Sequence, residues 1–107
     1  MTATDPKRPL SPRLQTQTVI EIDTTPIRYL SANDEDHFFS WAKGIKCVES
    51  VNRGILRIER EKVSDEDLRE LLALLTRYSL SVDPLRKLVS RSNDHWFNDP
   101  RAYWNAN

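Results

Sequence analysis

Apolar and polar residues change their spacing several times along this chain, and each change marks an element boundary. Thr18-Val19-Ile20-Glu21-Ile22 and Ile27-Arg28-Tyr29-Leu30 are β-branched or aromatic and alternate in part, with Asp23-Thr24-Thr25-Pro26 between them. That spacing predicts two short strands joined by a turn. Ser31-Ala32-Asn33 then offers an N-cap, and Asp34, Glu35 and Asp36 follow as first-turn acids that complement the positive end of a helix dipole. Phe38, Trp41, Ala42 and Ile45 recur at helical spacing. A helix is therefore expected over 34–43, with Trp41 in its core-facing stripe, Lys43 as the C-terminal cation and Gly44 as a left-handed cap.

The period returns to two at 46–51 and again at 55–60, with Asn52-Arg53-Gly54 between. This is the pattern of a β-hairpin with a three-residue loop and a left-handed Gly54. Leu56 and Ile58 fall on one side of the second arm and Arg57 and Glu59 on the other, so one sheet face should be buried and one wet. Val63-Ser64-Asp65-Glu66-Asp67-Leu68 is the strongest local signal in the chain. Ser64 can cap, Asp67 can reach back, and Val63 and Leu68 occupy the two positions of a hydrophobic staple. Leu68, Leu71, Leu72, Leu75 and Tyr78 form the apolar stripe of the helix that follows, with Arg69, Glu70, Ala73, Thr76 and Arg77 covering the rest. Beyond it, Leu80 and Val82 suggest a brief edge strand, 90–94 a loop, and Asp83-Pro84 and Asp99-Pro100 the starts of two short helical pieces.

Taken in order, the elements predict an α+β fold. It would have a small, mostly antiparallel sheet of three to five short strands, two main helices packed on one face, and a short helical aromatic C-terminal segment. Residues 1–17 carry three prolines and few large apolar groups, and are expected to be a disordered N-terminal arm. Residues 18–107 would form a single α+β domain, because a chain of 107 residues has material for one core.

Composition narrows the setting. With 38% hydrophobic and 30% charged residues the chain is an ordinary globular one. It has no apolar run of membrane-spanning length, and no apolar stretch follows Lys7, Arg8 and Arg13 to make a secretory signal. Together with a single cysteine, Cys47, this points to the cytoplasm. Sixteen basic residues balance sixteen acidic ones, so no bulk field draws the chain to nucleic acid or anionic lipid. Nucleic-acid binding would need a local patch, and Arg86, Lys87 and Arg91 are the nearest candidate.

Candidate chemistry is sparse. His37 and His95 are the residues that titrate near neutrality, yet His37 sits among first-turn acids and reads as a solvated helix-face residue. His95 precedes an aromatic pair and reads as a hydrogen-bonded structural histidine. Cys47 lies in the first arm of the hairpin with no base or glycine-rich turn beside it, so it reads as a buried thiol. One cysteine and two distant histidines do not make a zinc site, and two glycines do not make a phosphate loop. No cofactor is expected, and the acids at 34–36 and 65–67 are accounted for by helix dipoles.

The outlying feature is the C-terminal stretch His95–Trp104, which holds two of the three tryptophans together with Phe97 and Tyr103. Such rings either fold back as a lid or cover a partner. Trp96 and Phe97 should pack between the second helix and the sheet, leaving Arg101, Tyr103 and Trp104 as candidate anchors, with Arg86 and Lys87 nearby. The expectation is thus a non-catalytic protein-binding module, of which an inhibitor or immunity-type protein is one concrete form. A nucleic-acid-binding module using Arg86, Lys87 and Arg91 is the alternative, and an enzyme using His95 or His37 comes third. An exposed hairpin edge would also permit a homodimer.

Overall fold

A computed structural model describes residues 18–52 and 54–105, and the segment read above as an N-terminal arm lies outside the described residues. The elements are β1 (Val19–Asp23), α1 (Ala32–Gly44), β2 (Val48–Asn52), β3 (Ile55–Glu59), α2 (Asp65–Arg77) and α3 (Asp94–Phe97), with 3-10 helices at Arg60–Lys62 and Asp83–Leu88. The strands form one antiparallel sheet in the order β1-β3-β2, so the fold is α+β, as the sequence pattern predicts.

Each main helix is started by a serine. The Ser31 hydroxyl accepts from the Asp34 amide at 3.1 Å, and the Ser64 hydroxyl from the Asp67 amide at 3.0 Å. Both satisfy a donor that the first turn of a helix leaves without a partner. α1 ends at Gly44 without a left-handed residue, because the Ile45 amide turns back to the Ala42 carbonyl. The left-handed cap expected at Gly44 appears instead beyond α2, at Ser79 with φ 62°. There the Leu80 amide donates to the Leu75 carbonyl at 2.8 Å and the Ser79 amide to the Thr76 carbonyl at 3.1 Å, the paired bonds of a Schellman ending.

The hairpin closes as expected around a left-handed Gly54, φ 90°, but Asn52 pairs with Ile55 and belongs to the ladder rather than to the loop. β2 is an edge strand whose register slips between Val48 and Ser50, a bulge that places Glu49 where Arg57 of β3 can reach it. Arg57 also pairs with Glu21 of β1, so one arginine ties the solvent face of all three strands.

Two strands expected from alternation are not formed. Ile27–Leu30 turns Ile27 and Tyr29 to the core and Arg28 and Leu30 out, yet it joins no ladder. β1 ends the sheet and keeps one edge free of β3, but the Asp23 carboxylate binds the Thr25 amide and hydroxyl in a turn, and the chain beyond it does not run along that edge. Leu80 and Val82 are likewise buried without a strand, since the α2 ending runs straight into the 3-10 helix. The helix expected at Asp99-Pro100 begins five residues earlier, as α3, and Asp99 onward forms consecutive turns.

The core lies between the sheet and the helices. Ile20 and Ile22 of β1, Leu56 and Ile58 of β3, Phe38 and Ala42 of α1 and five leucines of α2 meet there, with Leu85 and Phe97 closing one end. Leu74 is among those five and belongs to the stripe beside the four leucines read from periodicity. A fully buried leucine contributes about 1.5–3 kcal/mol, against about 0–1 kcal/mol for an exposed ion pair, so α2 rather than the surface charges holds the fold together. Tyr78 extends the stripe, its ring edge-on to Phe38 at 5.0 Å and its hydroxyl donating to the Asp34 carboxylate at 3.1 Å.

Candidate interaction surface

The C-terminal segment is both lid and surface. Asn93, buried just before α3, fixes its entry. The Asn93 side chain donates to the Asp65 carboxylate and the Leu88 carbonyl, and accepts from the Ser90 amide at 2.7 Å. α3 then drives Phe97 wholly into the core. After it the chain doubles back, because the Phe97 carbonyl accepts both the Trp104 indole N–H at 2.9 Å and the Asn105 side-chain amide at 2.7 Å. That fold-back stacks the rings: Trp104 stands edge-on to Trp96 at 6.0 Å and to Tyr103 at 4.8 Å.

Arg69 of α2 lays its guanidinium over the Trp96 ring at 3.9 Å, a cation–π contact that joins the lid to the exposed side of α2. The neighbouring residue, Glu70, accepts the Trp41 indole N–H at 3.0 Å. Burial, and after it the charge of Glu70, hold the Tyr103 phenol above its ordinary pKa, with Arg69 opposing. Trp41 is half-buried: it packs against the core, as its spacing suggests, and turns its indole N–H outward. It reaches across to α2 because its indole N–H needs a partner that an apolar core would deny it. Trp41, Glu70, Arg69 and the rings of Trp96, Tyr103 and Trp104 therefore border one strip of surface along α2. Periodicity places the Trp41 ring against the core, and its polar N–H is the signal for the part that reaches the surface.

The sequence-predicted anchors fall in this strip unequally. Arg101 is 89% exposed, with its guanidinium against Asp99 at 3.4 Å, and Tyr103 is 53% exposed. Trp104 is half-buried and tied to backbone. Arg86 is engaged, since its guanidinium pairs with Asp83 at 3.1 Å and leans over the Phe97 ring at 5.8 Å. Lys87 borders a different depression, beside Arg60, whose guanidinium donates to the Lys87 carbonyl at 3.1 Å. Arg91 is exposed in the loop that follows.

The candidate catalytic groups are dispersed. His37 is exposed, with its ring 6.5 Å from that of Trp41. His95 is exposed on α3 rather than packed, because Phe97 takes the inward position of that short helix. Cys47 is fully buried, and burial, reinforced by the Asp67 carboxylate that it hydrogen-bonds, pushes its thiol up to about 12. Among the described residues, no three His, Cys, Asp or Glu side chains stand together as metal ligands, and no helix is long and apolar enough to cross a membrane. No family model, curated protein or solved structure matches this chain.

Proposed function

We propose that the protein is a non-catalytic protein-binding module of inhibitor or immunity type, working in the cytoplasm, and that it engages its partner through the C-terminal aromatic segment. The observation that carries this reading is the exposure of Tyr103 and Arg101 above a packed base of Trp96, Trp104 and Phe97. Tyr, Trp and Arg are the residue types that dominate binding energy at protein interfaces, and a rigid base spares much of the ordering cost of association. Trp41 and Arg69 extend the same strip, which helps it approach the roughly 1,000 Å² a specific interface needs.

A thiol held protonated and two solvent-facing histidines favour a binding role over catalysis. The nucleic-acid reading has less support, because Arg86 is paired and Lys87 faces another depression.

The test is an affinity capture from native lysate with the tagged full chain and with Arg101→Ala/Tyr103→Ala. These two side chains make few contacts with the core, so the fold should survive their loss, whereas Trp104→Ala would disturb the lid. A stoichiometric protein partner captured by the parent and lost in the double variant supports the reading. Capture of nucleic acid in its place, or a partner indifferent to the substitutions, refutes it.

A further inference from the structure

Among the described residues, Leu30 is the most exposed large apolar side chain, at 91% against 53% for Tyr103 and 42% for Ile55. It is also held in place. Its amide donates to the Asp34 carboxylate at 2.9 Å, and Ser31 beside it caps α1. Tyr29 before it is wedged among the rings of Phe38, Phe39 and Tyr78, at 6.0, 6.5 and 6.2 Å. Because Ile27 and Tyr29 turn to the core, Arg28 and Leu30 are turned out together. A leucine fixed in solvent has little freedom left to lose when a partner covers it.

Leu30 borders a cleft where the chain entering α1 meets the end of α2, with Pro26, Arg28, Asp34, Arg77, Tyr78 and Ser79 as its other walls. The charges of this cleft are unequal. Its one carboxylate, Asp34, is engaged at both oxygens, by the Leu30 amide and by the Tyr78 hydroxyl at 3.1 Å. Glu35 and Asp36 stand in the same turn of α1 and border none of it. Both guanidiniums, Arg28 and Arg77, are exposed, and among the described residues neither makes an ion pair or a side-chain hydrogen bond. The end of α2 does not use them either, since its Leu74, Leu75 and Thr76 carbonyls already accept the Tyr78, Leu80 and Ser79 amides.

Two unpaired guanidiniums beside a fixed, exposed leucine make a receptor for carboxylates flanked by an aliphatic side chain. Arginine takes a carboxylate through two parallel N–H bonds, and the leucine gains by losing contact with water. We infer that this cleft is a second contact site, which takes an acidic segment of a partner protein, its carboxylates on Arg28 and Arg77 and an aliphatic side chain against Leu30. The site goes beyond the C-terminal strip and shares no residue with it. Arg77 lies eight residues past Arg69, about 12 Å along α2 at 1.5 Å per residue, so the two surfaces can be lost separately.

The experiment selects peptides from a random dodecapeptide display library on the immobilised full chain and, in parallel, on Arg28→Gln/Arg77→Gln. The leading synthetic peptide is then mapped by NMR on the isotope-labelled protein. The substituted side chains are exposed, so this variant and Leu30→Ser should keep the parent's melting temperature. Peptides retained by the parent alone should carry two or more Asp or Glu within a few positions of Leu, Ile or Val. The leading one should shift the amides of Arg28, Leu30, Arg77 and Ser79 and leave those of Arg101 and Tyr103 in place. It should bind Arg28→Gln/Arg77→Gln, and separately Leu30→Ser, at least about tenfold more weakly, and replacing its acids with glutamine should abolish the shifts. Failure to recover any arginine-dependent peptide, recovered peptides without acids, or equal binding to Leu30→Ser would overturn the inference. So would equal shifts from inorganic phosphate alone, which would make the cleft a plain anion site. Shifts confined to Arg101 and Tyr103 would also overturn it, while leaving the C-terminal reading standing.

Discussion

Replacing Phe97 with alanine separates the lid from a merely adherent tail. Phe97 is 0% exposed, lies under Trp96 and Trp104 at 6.3 Å from each, and closes the core at the Leu85 end. Truncating a buried phenylalanine costs about 3–5 kcal/mol, the transfer free energy of the ring plus the cavity left behind. The upper half of that range applies here, because the backbone carbonyl of Phe97 anchors Trp104 and Asn105, so the segment cannot collapse into the gap without losing both bonds. Tyr103→Ala, six residues on and more than half exposed, should cost well under about 1 kcal/mol by contrast. Urea unfolding followed by tryptophan fluorescence and by far-UV circular dichroism reads both variants, and for a domain of this size each kcal/mol moves the melting temperature by about 4–8 °C. If Phe97→Ala and Tyr103→Ala were equally mild, the segment would be no part of the cooperative unit, and the argument that it forms a rigid base for partner binding would fail with it.

Other substitutions probe separate pieces of the same reasoning. Ser79→Gly should stabilise by about 0.5–1 kcal/mol, since Ser79 holds a left-handed φ of 62° that glycine adopts freely; a destabilised variant in thermal melts would show that the serine side chain matters more than the strain. Asn93→Ala leaves the Asp65 carboxylate, the Leu88 carbonyl and the Ser90 amide short of a partner and should cost about 2–3 kcal/mol by denaturant titration. For Cys47 the folded pKa lies above the unfolded one, so its contribution is complete below pH 9 and is lost as pH rises from 9 toward about 12. Stability measured across that range should fall, and Cys47→Ala should flatten the slope. The same thiol should resist alkylation at neutral pH until the protein unfolds.

What the sequence conveys well is facing, and what it conveys poorly is pairing. The caps at Ser31 and Ser64, the leucine stripe and the hairpin with Gly54 are all local, decided by residues within a turn of each other, and all are found. The alternation of Ile27 to Leu30 and of Leu80 to Val82 correctly tells which side chains turn inward, yet neither segment is a strand. A ladder depends on where a turn sends the chain, and although β1 keeps one edge free of β3, the segment beyond Thr25 does not run along it. Trp41 packs against the core as its spacing indicates, while the outward turn of its indole N–H depends on Glu70 of a helix that spacing cannot see. The interaction strip is likewise assembled from α1, α2 and the C-terminal turns, so its C-terminal part was visible as a run of aromatics and the rest was not.

The strand order has a consequence for synthesis. β1 leaves the ribosome well before β3, its partner in the sheet, so Ile20 and Ile22 wait uncovered while α1, β2 and β3 are made. Glu21 alternates with them and Asp23 follows, and like charges repel a second β1 of the same register. The hairpin needs no such wait, because its two arms are neighbours and close within microseconds. The nascent chain should therefore build the hairpin and α1 first and recruit its oldest strand last, and Glu21 and Asp23, which bind Arg57 and Thr25 once the protein is folded, should keep β1 from aggregating in the interval.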